Sequence, residues 1–209
     1  MSGEKRLRIL VIGASGVLGG AVVRELKARH EIIAAGARSG DIRIDIADPA
    51  SIVAGLAAAG PLDAVACAAG AATFAPLSAF TPATVTESAY GLGLANKLMG
   101  QVNLTLAARD VLPDGGSITL ITGILADQPI VMGSSASMVN GAIEAFARAA
   151  AIELPRGLRI NVVSPTVFVE SMGGYGPFFR GFEPVPVAKA ALAFSRSIEG
   201  RQTGQVYKV

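Results

Sequence analysis

Short runs of aliphatic and β-branched residues alternate along the chain with longer stretches in which apolar residues recur at helical spacing. The short runs predict strands over residues 7–12, 31–35, 42–46, 63–68, 117–122, 159–163 and 205–209. The longer stretches predict helices over residues 21–29, 49–59, 92–111, 137–154 and 187–198. Because strands and helices alternate, we expect right-handed crossovers and a doubly wound, seven-stranded parallel sheet with helices on both faces. Residues 1–209 form one predicted domain, in which the Gly-, Pro- and Phe-rich residues 164–184 form a loop or flap.

The composition agrees with a buried parallel sheet and excludes several classes of protein. Hydrophobic residues make up 51% of the 209 residues, charged residues 16%, and the mean hydropathy is +0.51. A disordered chain is thereby excluded. Because there is one Cys and one His, we expect neither a disulfide framework nor a zinc site. A net charge of +2 does not favour nucleic acid. No apolar run reaches the roughly 18 residues of a membrane span, and the basic amino terminus enters a strand, so we expect a cytoplasmic protein without a signal peptide.

A glycine-rich segment between the first predicted strand and helix is the strongest local signal. Gly13 permits a tight turn, Gly16 allows the backbone to approach a phosphate, and Gly19 permits close packing of helix and strand. The free N–H groups at the start of the following helix then face an anion, and Val17 and Leu18 of the same segment are predicted cofactor residues. Ser15 adds a hydroxyl donor. The segment predicts a nucleotide site, the alternative being a tight turn without a ligand.

The end of the second predicted strand indicates which nucleotide is bound. An acidic residue there would bond the adenosine ribose hydroxyls, but the sequence has Arg38 and Ser39 instead. Both suit a 2′-phosphate through charge-assisted hydrogen bonds. We therefore predict NADP, with NADPH preferred over NADH. Alternatively, Arg38 is a solvated surface charge.

Over essentially its whole length the chain resembles the short-chain dehydrogenases/reductases, which are NAD(P)-dependent enzymes on the Rossmann fold. The resemblance rests on the glycine segment and on motifs at residues 45–46, 68–71, 116–122, 144–154, 159–165 and 203–205. It implies that Asp45 bonds the amino group of the adenine and that Ile46 covers the ring. It further implies cofactor contacts from two segments after strands, which are Ala68, Ala69 and Gly70, and Pro165, Thr166 and Val167.

The four usual catalytic identities of that family are replaced. The tyrosine position falls on Ala136, the lysine position on Asn140, and the serine position on Gly123. The asparagine of the preceding helix falls at or next to Lys97, with Asn96 adjacent. The ordinary tyrosine-based mechanism is therefore excluded.

Four residues are the candidate replacements: Lys97, Thr122, Ser135 and Asn140. Among them Lys97 alone can carry a proton, and burial beside a cofactor would lower its pKa towards neutrality. Our hypothesis is that Lys97, with Thr122 or Ser135, replaces the Tyr–Lys pair. Alternatively, Lys97 packs near its helix or pairs with a carboxylate, and the serines at 134, 135 and 137 form a polar turn that caps the next helix.

We expect an NADP(H)-dependent oxidoreductase that acts on a small carbonyl, alcohol or activated double bond. Tyr175 of the flap is a candidate to approach the substrate from above. Phe178, Phe179 and Phe182 are candidates to line an apolar pocket, the alternative being that they pack the flap down, and Arg180 is a candidate to bind an anion. The alternatives are a catalytically silent NADP(H)-binding sensor or structural protein, and an enzyme of isomerisation or elimination. Family resemblance and the Ala/Gly-rich faces of residues 92–111 and 137–154 predict a homodimer or homotetramer.

Overall fold

In the computed structural model, which describes residues 5–209, seven parallel strands form one sheet in the order β3-β2-β1-β4-β5-β6-β7. The first four residues, on which the prediction about the amino terminus partly rests, lie outside the described residues. The predicted doubly wound fold is confirmed. The strands are β1 (Arg8–Ile12), β2 (Glu31–Gly36), β3 (Ile42–Arg43), β4 (Ala64–Cys67), β5 (Ser117–Ile121), β6 (Arg159–Ser164) and β7 (Val206–Lys208).

Helices cover both faces of the sheet, and every connection between consecutive strands except that from β2 to β3 contains a helix. They are α1 (Val17–Leu26), α2 (Pro49–Ala59), α3 (Gly100–Val111), α4 (Ser134–Glu153), α5 (Met172–Tyr175) and α6 (Val187–Glu199). The bounds of α2 are those predicted, because Asp48 caps it by accepting a hydrogen bond from the Ala50 N–H at 2.9 Å. Within residues 5–209, no helix is both long enough and apolar enough to cross a membrane.

Four elements differ from the sequence-based expectation. Helix α1 begins at Val17, immediately after the glycine turn, and β3 has only two residues because it pairs with β2 at the sheet edge over Ile42 and Arg43. Helix α4 begins at Ser134, so the predicted serine cap is wrong: Gly133 precedes the helix without a side-chain cap. Residues Gly93–Met99, predicted as α-helix, form a π-helix that continues into α3.

Two hydrophobic clusters lie on opposite faces of the sheet. Along β1, Leu10 and Ile12 point into the cluster beneath α2, α3 and α4, while Ile9 and Val11 point into the cluster beneath α1 and α6. All four side chains are at most 1% exposed, as expected of a strand covered on both faces. Because the strands are parallel, the carboxyl ends of the central strands meet at one edge of the sheet, where α/β proteins of this type bind ligands.

The segment between β6 and α6, predicted as a flap, folds over that edge. It consists of short helical turns, including Val169–Ser171, α5 and Gly176–Phe178, and an isolated bridge from Phe168 to Val185 ties its two ends together.

Candidate active site

The glycine turn after β1 requires small residues at its first and third glycines. Gly13 has φ +82°, and a Cβ built there would lie 2.7 Å from the Ala68 carbonyl oxygen. The N–H groups of Gly13 and Ala14 both donate to the Ala35 carbonyl, at 2.8 and 3.2 Å, which anchors the turn to β2. A Cβ at Gly19 would overlap the Gly13 carbonyl group, so α1 approaches the turn as closely as the backbone allows.

A groove of about 390 Å³ runs along this turn. The Ser15 and Ser39 hydroxyls are hydrogen bonded at 2.9 Å, which joins the turn to the end of β2 where Arg38 lies. Arg38 is exposed, and within residues 5–209 it forms no ion pair. Predicted cofactor residues in the lining are Gly13, Ser15, Gly16, Arg38, Ser39, Asp45, Ile46, Ala68, Ala69 and Gly70.

The remaining predicted cofactor residues lie elsewhere. Val17 is exposed at the start of α1, whereas Leu18 is buried in the core beneath that helix. Pro165, Thr166 and Val167 line a second cavity of about 450 Å³, which shares Gly70 and Ala71 with the groove. The groove and the cavity are therefore contiguous.

Three of the four catalytic candidates line that cavity, and one does not. Lys97, Thr122 and Asn140 are in the lining, together with Ala136 at the family tyrosine position. Ser135 is fully buried outside the lining, and its hydroxyl lies 3.0 Å from where a Cβ on Gly93 would stand. Its Oγ has no hydrogen-bond partner among residues 5–209.

The π-helix positions two adjacent polar side chains. The Asn96 side-chain oxygen accepts a hydrogen bond from the Ala71 N–H at 2.7 Å and thereby fixes the loop after β4. Lys97 packs along Gly70, where a Cβ would lie 2.7 Å from its Cγ. Such π segments are rare and occur frequently at functional sites.

Lys97 is half-buried, and no carboxylate of residues 5–209 forms an ion pair with it, so the predicted alternative of a carboxylate partner is wrong. Burial lowers the pKa of Lys97 to about 8, an effect that the nearby Cys67 partly opposes. Burial also raises the pKa of the Cys67 thiol to about 11, so the thiol is protonated at neutral pH. Lys97 is therefore an acid whose pKa suits proton transfer near neutral pH.

A buried carboxylate lies behind the cavity wall. Glu144 of α4 is 4% exposed, and its Oε1 accepts hydrogen bonds from the Thr122 and Ser164 hydroxyls, both at 3.0 Å. In the sequence, Glu144 is notable only as part of the helix motif at residues 144–154. The carboxylate can be buried because hydroxyls at the ends of two neighbouring strands, β5 and β6, donate to it. That these two strands are neighbours is known only from the sheet order.

Aromatic side chains close the outer side of the cavity. Phe74, from the loop after β4, contacts Tyr175 edge to face with ring centroids 6.2 Å apart, and Tyr175 contacts Phe179 likewise at 6.4 Å. All three rings are in the lining. Phe178 and Arg180 are exposed and do not belong to it, while Phe182 packs against Phe179. The cavity thus combines an aromatic roof with a small polar floor.

A doubly wound parallel sheet with a glycine turn at its first crossover and a groove at the carboxyl ends of its strands defines a Rossmann-type domain. The family model described as "Enoyl-(Acyl carrier protein) reductase" matches residues 13–207. The chain belongs to this family, within the short-chain dehydrogenases/reductases, and is of their oxidoreductase type.

Solved structures agree with this assignment. The protein lin1944 from Listeria innocua is 50% identical with a TM-score of 0.93, and the match covers 97% of this chain and 99% of that one. A small-chain dehydrogenase in complex with NADPH is 23% identical, with a TM-score of 0.83 over 98% and 97% of the two chains. A short-chain dehydrogenase/reductase from Serratia marcescens is 21% identical, with a TM-score of 0.78 over 97% and 95%. Among curated proteins, none matches the chain.

Proposed function

We propose that the protein is an NADP(H)-dependent oxidoreductase that interconverts a small carbonyl compound and its alcohol, or reduces an activated double bond, with Lys97 as the proton donor. The observation that carries the proposal is the position of Lys97 within the cavity. It is half-buried, without a carboxylate partner among residues 5–209, and it lines a cavity contiguous with the nucleotide groove.

The residues of the groove fit NADP(H). The helix start after Gly16 offers free N–H groups to the phosphates, and Gly13 and Gly19 leave no side chain to obstruct the turn. Arg38 and Ser39 would hold the 2′-phosphate, and Asp45 and Ile46 the adenine. Pro165, Thr166 and Val167 would contact the nicotinamide end, because they line the substrate side of the cleft. When bound, the cofactor supplies or accepts a hydride. The NADPH complex of a relative with the same fold supports this assignment.

The side chains of the cavity handle the proton. With a pKa of about 8, Lys97 is mostly protonated at pH 7 and transfers one proton to the substrate oxygen as the carbon gains a hydride. The neutral amine that remains recovers a proton from water. In the oxidative direction Lys97 accepts the same proton. Thr122 and Asn140 orient the bound groups from the polar floor.

Calorimetric titration with NADPH and NADH tests the cofactor. We expect NADPH to bind at least about 10-fold more tightly, and the Arg38→Ala variant to lose most of that preference, because a charge-assisted hydrogen bond contributes about 1.5–3 kcal/mol. Arg24→Ala is the matched control, since Arg24 is exposed on α1 but does not line the groove. Failure of both nucleotides to bind at millimolar concentration would overturn the proposal.

A spectrophotometric assay of NADPH oxidation with a panel of carbonyl compounds tests the chemistry. Lys97→Met is expected to lower turnover by about 10²- to 10⁴-fold, the usual contribution of a general acid. A second candidate is a nucleotide-binding protein without hydride chemistry, favoured by the methyl group of Ala136 at the position of the family tyrosine. Tight NADPH binding with no oxidation across the panel would favour that second candidate.

A further inference from the structure

A further cavity, here called the amino-edge cavity, lies at the edge of the sheet opposite the nucleotide groove. It encloses about 540 Å³, and its lining includes Asp63 before β4, Gly116 before β5 and Arg159 at the start of β6. The nucleotide groove is lined instead by residues at the carboxyl ends of strands, such as Ile12. Because the strands are parallel, the two sites lie at opposite ends of the sheet. Neither the proposed cofactor nor its substrate therefore accounts for the amino-edge cavity.

Three carboxylates line the amino-edge cavity, and two of them are each held by a single cation of the chain. The Asp63 carboxylate accepts a hydrogen bond from the Lys5 ammonium at 2.6 Å and another from the Arg8 backbone N–H at 2.8 Å. The Asp114 carboxylate lies 3.1 Å from Nε of Arg156. Both negative charges are therefore balanced within the protein.

The third carboxylate, Glu199 at the end of α6, has more partners. Its Oε1 lies 2.8 Å from Nε of Arg29 and 2.8 Å from Nε2 of His30, and the Ser195 hydroxyl donates to its Oε2 at 2.8 Å. The Leu7 N–H donates to Nδ1 of the same histidine at 3.3 Å, so Nε2 carries the hydrogen that is given to Glu199. All three carboxylates of the cavity wall are thus satisfied by residues of this chain.

Arg159, by contrast, is a partly buried cation without a counter-ion. No carboxylate of residues 5–209 forms an ion pair with it. Two of its five N–H groups donate to the Ser197 and Ile198 carbonyls at the end of α6, at 2.8 and 3.1 Å. Its Nε has no hydrogen-bond partner among the same residues and is not sealed from solvent. Burial lowers the pKa of Arg159, although the guanidinium remains charged at neutral pH.

Arg201 brings a second guanidinium to the amino-edge cavity. It lies between α6 and β7, is exposed, and forms no ion pair in the described part of the chain. A guanidinium presents its N–H donors in a planar fork that matches two oxygens of a carboxylate or a phosphate. Because a cation that has lost part of its hydration is stabilised by a hydrogen-bonded anion, Arg159 favours a ligand of this kind.

We propose that the amino-edge cavity is a binding site for a small oxyanion, held by Arg159 and Arg201. Since both arginines are unpaired within residues 5–209, a ligand with two negative charges fits best. A phosphate group and a dicarboxylate share this chemistry. Arg159 also joins the ligand to the end of α6, and a ligand that binds only the folded chain stabilises it. The site is independent of the oxidoreductase function proposed above.

Calorimetric titration of the nucleotide-free protein with inorganic phosphate and, separately, with malonate tests the site, at an ionic strength kept constant with NaCl. We expect at least one of the two anions to bind. Arg159→Met and Arg201→Met are each expected to weaken that binding by about 10-fold, because each removes charge-assisted hydrogen bonds. Binding of phosphate alone indicates a phosphorylated ligand, binding of malonate alone indicates a dicarboxylate, and binding of both indicates recognition by charge.

Two further variants show where the anion binds. Arg43→Met is the matched control, because Arg43 is exposed on β3, forms no ion pair within residues 5–209 and does not line the amino-edge cavity. It is expected to leave the affinity unchanged. Arg38→Ala removes a positive charge from the nucleotide groove, the other place where phosphate could bind. Binding at the amino-edge cavity is expected to survive this substitution.

Three outcomes overturn the inference. They are the failure of both anions to bind to the wild-type protein, wild-type affinity of Arg201→Met for both anions, and binding that Arg38→Ala abolishes. Should Arg159→Met fail to fold because α6 loses two hydrogen bonds, Arg201→Met decides, since Arg201 is exposed. Arg201→Met is expected to bind NADPH with wild-type affinity, so the result for this cavity is separate from the test of the proposed function.

Discussion

At the scale of single residues, the site combines an unpaired lysine with a polar floor that carries no charge of its own. The ammonium group of Lys97 is partly removed from water without an ion partner among residues 5–209, and this desolvation disfavours the charged form and lowers its pKa to about 8. The folded protein is thus less stable at neutral pH than it would be with an apolar side chain at this position. Functional sites often retain such destabilising groups because the chemistry requires them.

The first prediction is that Lys97→Met stabilises the protein while it removes activity. Below pH 8 the folded and unfolded chains both hold the Lys97 proton, and the full penalty of the buried charge applies. Between pH 8 and 10.5 the unfolded chain binds more protons, so wild-type stability rises with pH relative to the variant. We expect Lys97→Met to raise the free energy of unfolding at pH 7 by about 1–3 kcal/mol, and the difference to shrink towards pH 10.5. Urea denaturation at both pH values measures it, with exposed Lys189→Met as the control; a destabilised variant at pH 7 would contradict the expectation.

Lys97 could be predicted from the sequence and Glu144 could not, for identifiable physical reasons. The family motif spacing put Lys97 at or next to the asparagine position of the catalytic set, and the structure puts it in the cavity. Glu144 stands in an Ala-rich helix, where a charged residue usually faces water. The carboxylate is tolerated in the interior because the hydroxyls of Thr122 and Ser164 both donate to it. These two residues are 42 positions apart along the chain, so their proximity is visible only in the structure.

At the scale of elements, α1 and the glycine turn act as one unit. Gly19 and Gly20 are adjacent on α1, yet their surroundings differ. A Cβ on Gly19 would overlap the backbone of Gly13, whereas a Cβ on Gly20 would lie 3.4 Å from the end of the flexible Arg24 side chain. The backbone of a tight turn cannot move aside to make room for a Cβ, whereas the end of a long, flexible side chain can.

The second prediction compares these neighbours. Gly19→Ala is expected to lower the free energy of unfolding by about 3 kcal/mol or more and to abolish nucleotide binding, because α1 must move away from the turn. Gly20→Ala is expected to be neutral or stabilising by up to about 1 kcal/mol, the helix propensity of Ala over Gly. Thermal denaturation and NADPH titration of both variants test this, and equal behaviour of the two would refute the close packing assigned to Gly19.

Most elements could be predicted from hydrophobic periodicity, but the π-helix could not. An α-helix is bonded from residue i to i+4 and a π-helix from i to i+5, but seven residues are too few for the apolar pattern to distinguish them, so residues 92–111 indicated one continuous α-helix. The widened turns at Gly93–Met99 depend on tertiary contacts, among them Asn96 with Ala71 and Lys97 against Gly70. Such contacts override local propensity and are not visible in the sequence.

At the scale of the whole molecule, the two helices that flank the site expose large apolar side chains. On the π-helix and α3 these are Met99, Leu106 and Val111, and on α4 they are Met138 and Ile152, the last 86% exposed. Contiguous apolar surface on a folded protein often marks an interface. The same α4 carries Asn140 and Glu144, so an interface on this helix would also restrain the cavity wall.

The last prediction concerns assembly. We propose a homodimer or homotetramer that buries the exposed faces of α3 and α4, as the family resemblance implies. Light scattering of the wild-type protein is expected to give two or four times the 21.2 kDa of one chain. Ile152→Glu places a charge in the proposed interface and is expected to shift the protein towards the monomer, since an unpaired charge at an interface costs several kcal/mol. Val53→Glu is the control, because Val53 is 60% exposed on α2, outside that surface. A wild-type monomer would refute the proposal, and a dimer that withstands Ile152→Glu would place the interface on another face.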